Sequence, residues 1–252
     1  MRPSSRTLFL IFVAVTVAVT TTITTLYGQS QVSYKAVLPG NQPQSTKQDD
    51  RVPVVDFDSP EPDDPVRPEQ RRKRNARHDK DYFVHKDDSS GNTVATTLDS
   101  EWDLGLPPLP AAQSDIILVG KVTAGRAHLS NDKTGIYSEF PVTIEEVLKN
   151  ASSSPLKAGS QVYLERIGGV VRYPNGLKYL YRVAGQNMPG VGLRYVFFLK
   201  PIGVEEAYEI ITAYELRGDK VSPLDSTDQF DAYKEVEQVK FLEQLRNAIG
   251  RQ

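Results

Sequence analysis

Six residues of one ribbon carry the clearest binding chemistry in this chain: Arg172, Tyr173, Lys178, Tyr179, Tyr181 and Arg182. They flank Pro174-Asn175-Gly176, and Asn-Gly between two β-rich runs predicts a hairpin. Tyrosine rings stack on sugar rings or bases, and neighbouring cations collect phosphate or carboxylate. The loop 185–190 extends this candidate ligand-binding surface. The competing reading is structural, because Tyr is a favoured residue of half-buried strands.

Other constellations are less committed. Arg71-Arg72-Lys73-Arg74, with Arg77 and Lys80, forms a basic run between acidic neighbours. It reads as a charge-balanced solvated linker. Alternatives are an anion-binding stretch for nucleic acid, wall polymer or lipid headgroups, and a dibasic processing site. His78 and His85 lie near Asp79, Asp81, Asp87 and Asp88, at spacings that fit no known metal geometry. Glu145 and Glu146 are adjacent on a predicted strand, so they face opposite sides and cannot flank one substrate atom. Arg217-Gly218-Asp219 sits where a hairpin places Gly-Asp, and reads as a turn.

The catalytic inventory is thin. The chain has no cysteine and three histidines, which excludes thiolate catalysis and Cys-rich zinc sites. His128 is the one histidine of the expected folded part, and no nucleophile elbow, Walker loop or zincin helix occurs. Gly190-Val191-Gly192 lacks the third glycine and the helix of a dinucleotide fingerprint. No catalytic residue, metal ligand or cofactor is assigned. A net charge of −2 gives no bulk attraction to nucleic acid.

The elements that must position these residues are mostly strands. The run 194–200 is apolar on both alternating sets, Tyr195, Phe197 and Leu199 against Val196 and Phe198, which marks a central strand. Further strands are expected at 116–123, interrupted by Gly120 as a bulge or corner, and at 136–148. In the latter, Phe140, Val142 and Ile144 alternate with Glu139, Pro141, Thr143 and Glu145, so one face is wet. Strands 161–166, ending or bending at Gly168-Gly169, 170–173, 177–183 and 208–216 follow. A helix is expected over 227–249, capped by Ser226 with Gln229, with Val236, Val239, Leu242, Leu245 and Ile249 as its apolar stripe.

Ahead of this domain, Arg2 and Arg6 precede 20 uncharged residues, 7–26. At 1.5 Å per residue these span ~30 Å, a bilayer core. Residues 1–28 are therefore read as an uncleaved signal anchor, N-terminus in the cytoplasm; the alternative is secretion after signal cleavage. Residues 29–93, rich in Pro, Asp and Gln, are expected to be a disordered linker. Within them 52–57 is read as a solvated segment, with a docking strand as the other option. Residues 94–252 are the globular domain.

From Ser114 onward the chain resembles a group of uncharacterised bacterial secreted or membrane-anchored β-domain proteins. The resemblance rests on Ser114-Asp115, Glu145 to Asn150, Ala158-Gly159, Gly168-Gly169, Tyr195 to Lys200 and Tyr208 to Tyr214, about half the chain. No activity is assigned to that group, so no functional residue carries over. The strand order is also similar to OB-like barrels of the netrin/metalloproteinase-inhibitor type. Those domains use N-terminal cysteines, which this chain lacks, so no inhibitory residue carries over.

The expected fold is mainly β: a small antiparallel barrel or sandwich, with an OB-like form as one option, closed by a C-terminal helix. The expected function is a non-catalytic, membrane-anchored extracytoplasmic module that binds an envelope polymer or a protein. The alternative is an envelope-polymer hydrolase or transferase working through dispersed carboxylates.

Overall fold

The strand Arg194–Pro201 has neighbours on both sides and buries Tyr195 through Leu199 completely, as its two apolar sets predict. A computed structural model describes residues 36–37, 51–59, 68–81, 84, 94–98, 105–151, 155–203 and 207–250, which fall in one compact unit, 34–252. The expected anchor, 7–26, lies outside the described residues. Among the described residues no helix is long and apolar enough to cross a membrane.

In chain order the elements are β1 (Ala36–Val37), β2 (Val54–Asp56), α1 (Pro68–Ala76), β3 (Val94–Leu98), β4 (Ile116–Val122), β5 (Arg126–Leu129), β6 (Ile136–Asn150), β7 (Gln161–Arg172), β8 (Lys178–Val183), β9 (Arg194–Pro201), β10 (Ala207–Arg217), β11 (Lys220–Pro223) and α2 (Gln238–Ile249). The fold is mainly β with a C-terminal helix, and its 11-stranded sheet is not a clear barrel. β9 lies between β4 and β10, both antiparallel to it. β4 pairs with β6, β6 with β5 and β7, and β7 runs parallel to β10. β8, β3 and β1 extend the sheet from the far half of β7.

The two faces of β9 serve two cores. Tyr195, Phe197 and Leu199 join Ile116, Leu118, Phe140 and Leu164 in one; Val196 and Phe198 meet Phe230, Phe241 and Leu245 under α2 in another. Each such side chain contributes about 1.5–3 kcal/mol by leaving water.

Small residues mark the corners. Gly120 sits at a register shift between β4 and β6, the expected bulge. On one side β6 changes partner between Glu139, opposite Arg126, and Val142, opposite Val122. Pro141 falls in that gap, where a missing N–H costs no ladder bond. Gly168-Gly169 does not end its strand. β7 continues through it and swings from β6 to β8. Gly168 has φ +106, and a Cβ there would lie 2.5 Å from the Tyr181 carbonyl oxygen. Gly168→Ala is therefore expected to cost at least about 2 kcal/mol, read as a lowered urea midpoint.

The hairpin after β7 forms as expected. Its loop has three residues, with Gly176 at φ +85 and the Tyr173 N–H bonded to the Leu177 oxygen at 2.9 Å. Gly218 likewise turns β10 into β11 with φ +58.

Two expectations need correction here. The helix 227–249 is broken: a 3-10 turn spans Asp228–Tyr233, and α2 begins at Gln238. Glu235, at φ +62, and Val236 exchange backbone bonds of 2.9 Å with Val221, so the edge of β11 claims that stretch. The Ser226 hydroxyl accepts from Asn187 Nδ2 at 2.6 Å and its N–H donates to the Gly185 oxygen at 2.8 Å, and the residue that precedes the 3-10 turn, Thr227, makes no side-chain capping bond. The buried stripe is Phe241 and Leu245 with Leu242, Ala248 and Ile249 beside them; Val239 is 80% exposed.

The second correction concerns 29–93. Its described parts are folded onto the domain. β2 pairs in parallel with Val170, Val171 and Arg172 of β7, so 52–57 is a docking strand. Pro53 sits just before the paired residues, and its carbonyl accepts from the Val170 N–H at 2.8 Å. Its proline thus leaves the ladder intact.

Candidate functional site

On β6 and β7 the residues Tyr137, Glu139 and Pro141 lie opposite Ile167, Glu165 and Tyr163. Strand alternation sends Phe140 and Val142 into the core and Tyr137 and Glu139 to the other face. Two carboxylates thus stand directly across from each other, each 4% exposed. Like charges so placed repel and lose hydration, so this face demands cations.

The cations come from the run expected to be solvated. α1 carries Arg71 and Arg74 on one helical face, and the chain continues through Arg77 and His78. Arg71 Nη2 donates to Glu139 Oε1 at 2.8 Å and Nη1 to Oε2 at 3.1 Å, a two-pronged pairing. Arg74 donates to the same Oε2 and lies over the Tyr163 ring, 5.2 Å from its centroid. Arg77 donates to Glu165 Oε2 at 3.2 Å. His78 Nε2 lies 2.8 Å from Glu165 Oε1, its Nδ1 is 3.3 Å from Asp81 Oδ2, and its ring stacks on Tyr137 at 4.6 Å. Tyr137 Oη donates to Asn75 Oδ1 at 2.7 Å. Arg72 and Lys73 face solvent.

These contacts set the charge states. Burial alone would raise the Glu139 carboxyl, but the Arg71 and Arg74 guanidiniums hold it below the usual range. Burial alone would lower His78; its bonds to Asp81 and Glu165 outweigh that and raise it to about 8. Burial pushes the Tyr137 hydroxyl up. A raised imidazole stabilises the fold fully below its free value near 6.5 and less as pH passes about 8. At 1.4 kcal/mol per unit this amounts to about 2 kcal/mol. Stability in urea is expected to fall between pH 6.5 and pH 9 in the intact chain. The His78→Gln variant should lose that slope; a variant that keeps it would contradict the assignment.

The chemistry available here is recognition of guanidinium groups. Glu139 is held ionised and lacks a proton to give as a general acid. A groove of about 400 Å³ between the Pro107-Pro108-Leu109 stretch and α2 is lined by no carboxylate and no imidazole. Among the described residues no three His, Cys, Asp or Glu side chains form a metal-binding group. His85, Asp87 and Asp88 lie outside the described residues.

The hairpin expected to bind ligand has its rings turned inward. Tyr173, Tyr179 and Tyr181 are 5%, 2% and 0% exposed. Tyr173 stacks on Phe57 at 4.9 Å and meets Tyr179 edge-on at 5.3 Å. Arg172 pairs with Asp56 on β2. Lys178 is exposed and Arg182 half-buried on the outer side. Docking of 51–59 and the neighbouring core consume the aromatic face, so the structure does not bring these six residues together as a stacking platform. Glu145 and Glu146 face apart as expected, toward Arg194 at 2.7 Å and Arg246 at 3.0 Å.

Glu139, Glu165, Tyr137 and Tyr163 were not singled out by the sequence. The available signal was the spacing of Arg71, Arg74, Asn75 and His78, at i, i+3, i+4 and i+7, one face of a helix. A comparison with protein-family models and with curated proteins returns no match for this chain.

Proposed function

We propose that this chain is a non-catalytic extracytoplasmic binding module, anchored by 7–26, whose binding face is the Glu139–Glu165 carboxylate pair. Its partner would be a protein presenting a basic helical segment. The observation that carries this reading is the fourfold engagement of the pair by Arg71, Arg74, Arg77 and His78. In the resting chain, 68–81 occupies the face in cis. The fold assigned to the module is OB-like. Support for this is the pairing order β4-β6-β7-β10-β9 with β9 back against β4, and the parallel β7–β10 contact. In OB-folds the second and third strands carry ligand, and β6 and β7 hold those places.

The test is binding in trans. A labelled peptide of residues 68–81 is titrated into the full chain carrying Arg71→Ala, Arg74→Ala and Arg77→Ala. Saturable binding on the order of micromolar, weakened by salt, is expected for the variant and none for the unaltered chain. No binding by the variant would remove the reading. The rival, an envelope-polymer hydrolase, draws on the same opposed carboxylates. Release of sugar fragments from purified envelope polymer by the variant would favour it.

A further inference from the structure

Arg71-Arg72-Lys73-Arg74 offers paired cations in the pattern that basic-specific endoproteases recognise through acidic pockets for the first and fourth residues before the cut. For a cut after Arg74 those two residues are Arg74 and Arg71. Both are held by one carboxylate, Glu139. A protease pocket and Glu139 therefore compete for the same two guanidiniums.

The backbone is withheld as well. The Arg74 carbonyl accepts from the Arg77 N–H at 3.1 Å, inside a helical turn. The Asn75 side chain accepts from Tyr137 at 2.7 Å, and Asn131 Nδ2 donates to the Arg72 carbonyl at 3.1 Å. Proteases cleave extended chain, so each of these bonds must open first.

We infer that the Arg74–Asn75 peptide bond is a processing site for a paired-basic endoprotease, and that docking of 68–81 on Glu139 and Glu165 gates its cleavage. This rests on the proposed reading of 68–81 as the face's own occupant and of 7–26 as an anchor. In the step, water adds to the Arg74 carbonyl carbon and the C–N bond breaks. Arg74 keeps a new carboxylate, and Asn75 leaves with a protonated amine. The chain before Asn75 is then held to the domain by non-covalent contacts, among them β1 on β3, β2 on β7, Asp56 with Arg172, Phe57 stacked on Tyr173 and the basic run's own bonds to Glu139. A covalent tether becomes a dissociable one. A partner that displaces 68–81 from the carboxylates would expose the site, so binding and release are coupled.

The experiment incubates the full chain with a subtilisin-type paired-basic endoprotease and follows fragment masses. The unaltered chain is expected to be cut slowly, after Arg74. Glu139→Gln leaves the basic run intact and should speed the same cut by roughly tenfold or more, because cleavage follows the open population. Arg77→Gln, at a half-exposed position, removes one contact to Glu165. It should speed the cut by roughly threefold, and it keeps the test valid if Glu139→Gln loses strand content by circular dichroism. Arg74→Gln should abolish the cut. Equal rates for the unaltered chain and both undocking variants would overturn the gate. Absence of a cut after Arg74 in all of them would overturn the site. Either failure leaves the peptide titration untouched, so the binding reading stands or falls separately.

Discussion

Arg166→Met is expected to lower the unfolding free energy by about 3–5 kcal/mol, the usual effect of leaving one member of a buried ion pair alone. The Arg166 and Asp225 side chains are 1% and 0% exposed and meet at 2.5 Å and 3.1 Å through two guanidinium nitrogens. Arg166 also donates to the Asn187 carbonyl at 2.6 Å and to the carbonyls of Ile210 and Ile211 at 3.3 Å and 3.4 Å. The β9–β10 register shifts between Ile210 and Thr212, so those carbonyls sit where the ladder is irregular. Asp225 accepts in turn from the Asn187 N–H at 3.0 Å and from Thr212 Oγ1 at 2.8 Å. One ion pair thereby ties β7, β10, the loop before β9 and the segment after β11. Removing the arginine strands a carboxylate in the core. Urea denaturation reads the loss, and Arg166→Met with Asp225→Leu should be less unstable than the first change alone. A loss under about 1 kcal/mol for the single variant would show that the pair is not enclosed as described.

The second large effect is expected at Glu139. In Glu139→Gln the Arg74 guanidinium, in a side chain 4% exposed, keeps its place beside Arg71 with no carboxylate between them. The amide still accepts one hydrogen bond but neutralises no charge. Docking of 68–81 should weaken by about 3 kcal/mol, roughly a hundredfold. The urea midpoint of the chain should fall by about 1–2 M. An unchanged midpoint would mean that 68–81 contributes nothing to the fold. Arg72→Ala, at an exposed residue outside the network, should leave the unfolding free energy within about 0.5 kcal/mol of the unaltered chain.

Local chemistry explains what the sequence made legible. β9 has two apolar sets and two cores, and Asn175-Gly176 turns because Gly176 takes a positive φ. Gly120 was readable as a bulge because a glycine inside a strand leaves room for close approach. The misreadings all involve a partner distant in sequence. Glu139 looked wet because alternation cannot report a helix laid over one end of a strand. That helix comes from 65 residues earlier. The basic run looked solvated because its nearest acidic neighbours are in the sequence, while the carboxylates it uses are on β6 and β7. For Tyr173, Tyr179 and Tyr181 the structural reading of the ribbon holds, and nothing in their own stretch foretells that Phe57 stacks on Tyr173. The C-terminal helix is shorter than its pattern predicts because helix propensity cannot register that the β11 edge takes Glu235 and Val236.

Amide hydrogen exchange across 68–81 in the unaltered full chain tests the central claim most directly. If α1 is docked on the carboxylates, the amides of Arg77 and His78, bonded to Arg74 and Asn75, exchange well below the rate of the free peptide. Their protection should also weaken as pH rises past about 8, where His78 loses its proton. Exchange at the free-peptide rate at pH 6.5 would contradict the docking, and with it the assignment of Glu139 and Glu165 as a recognition face.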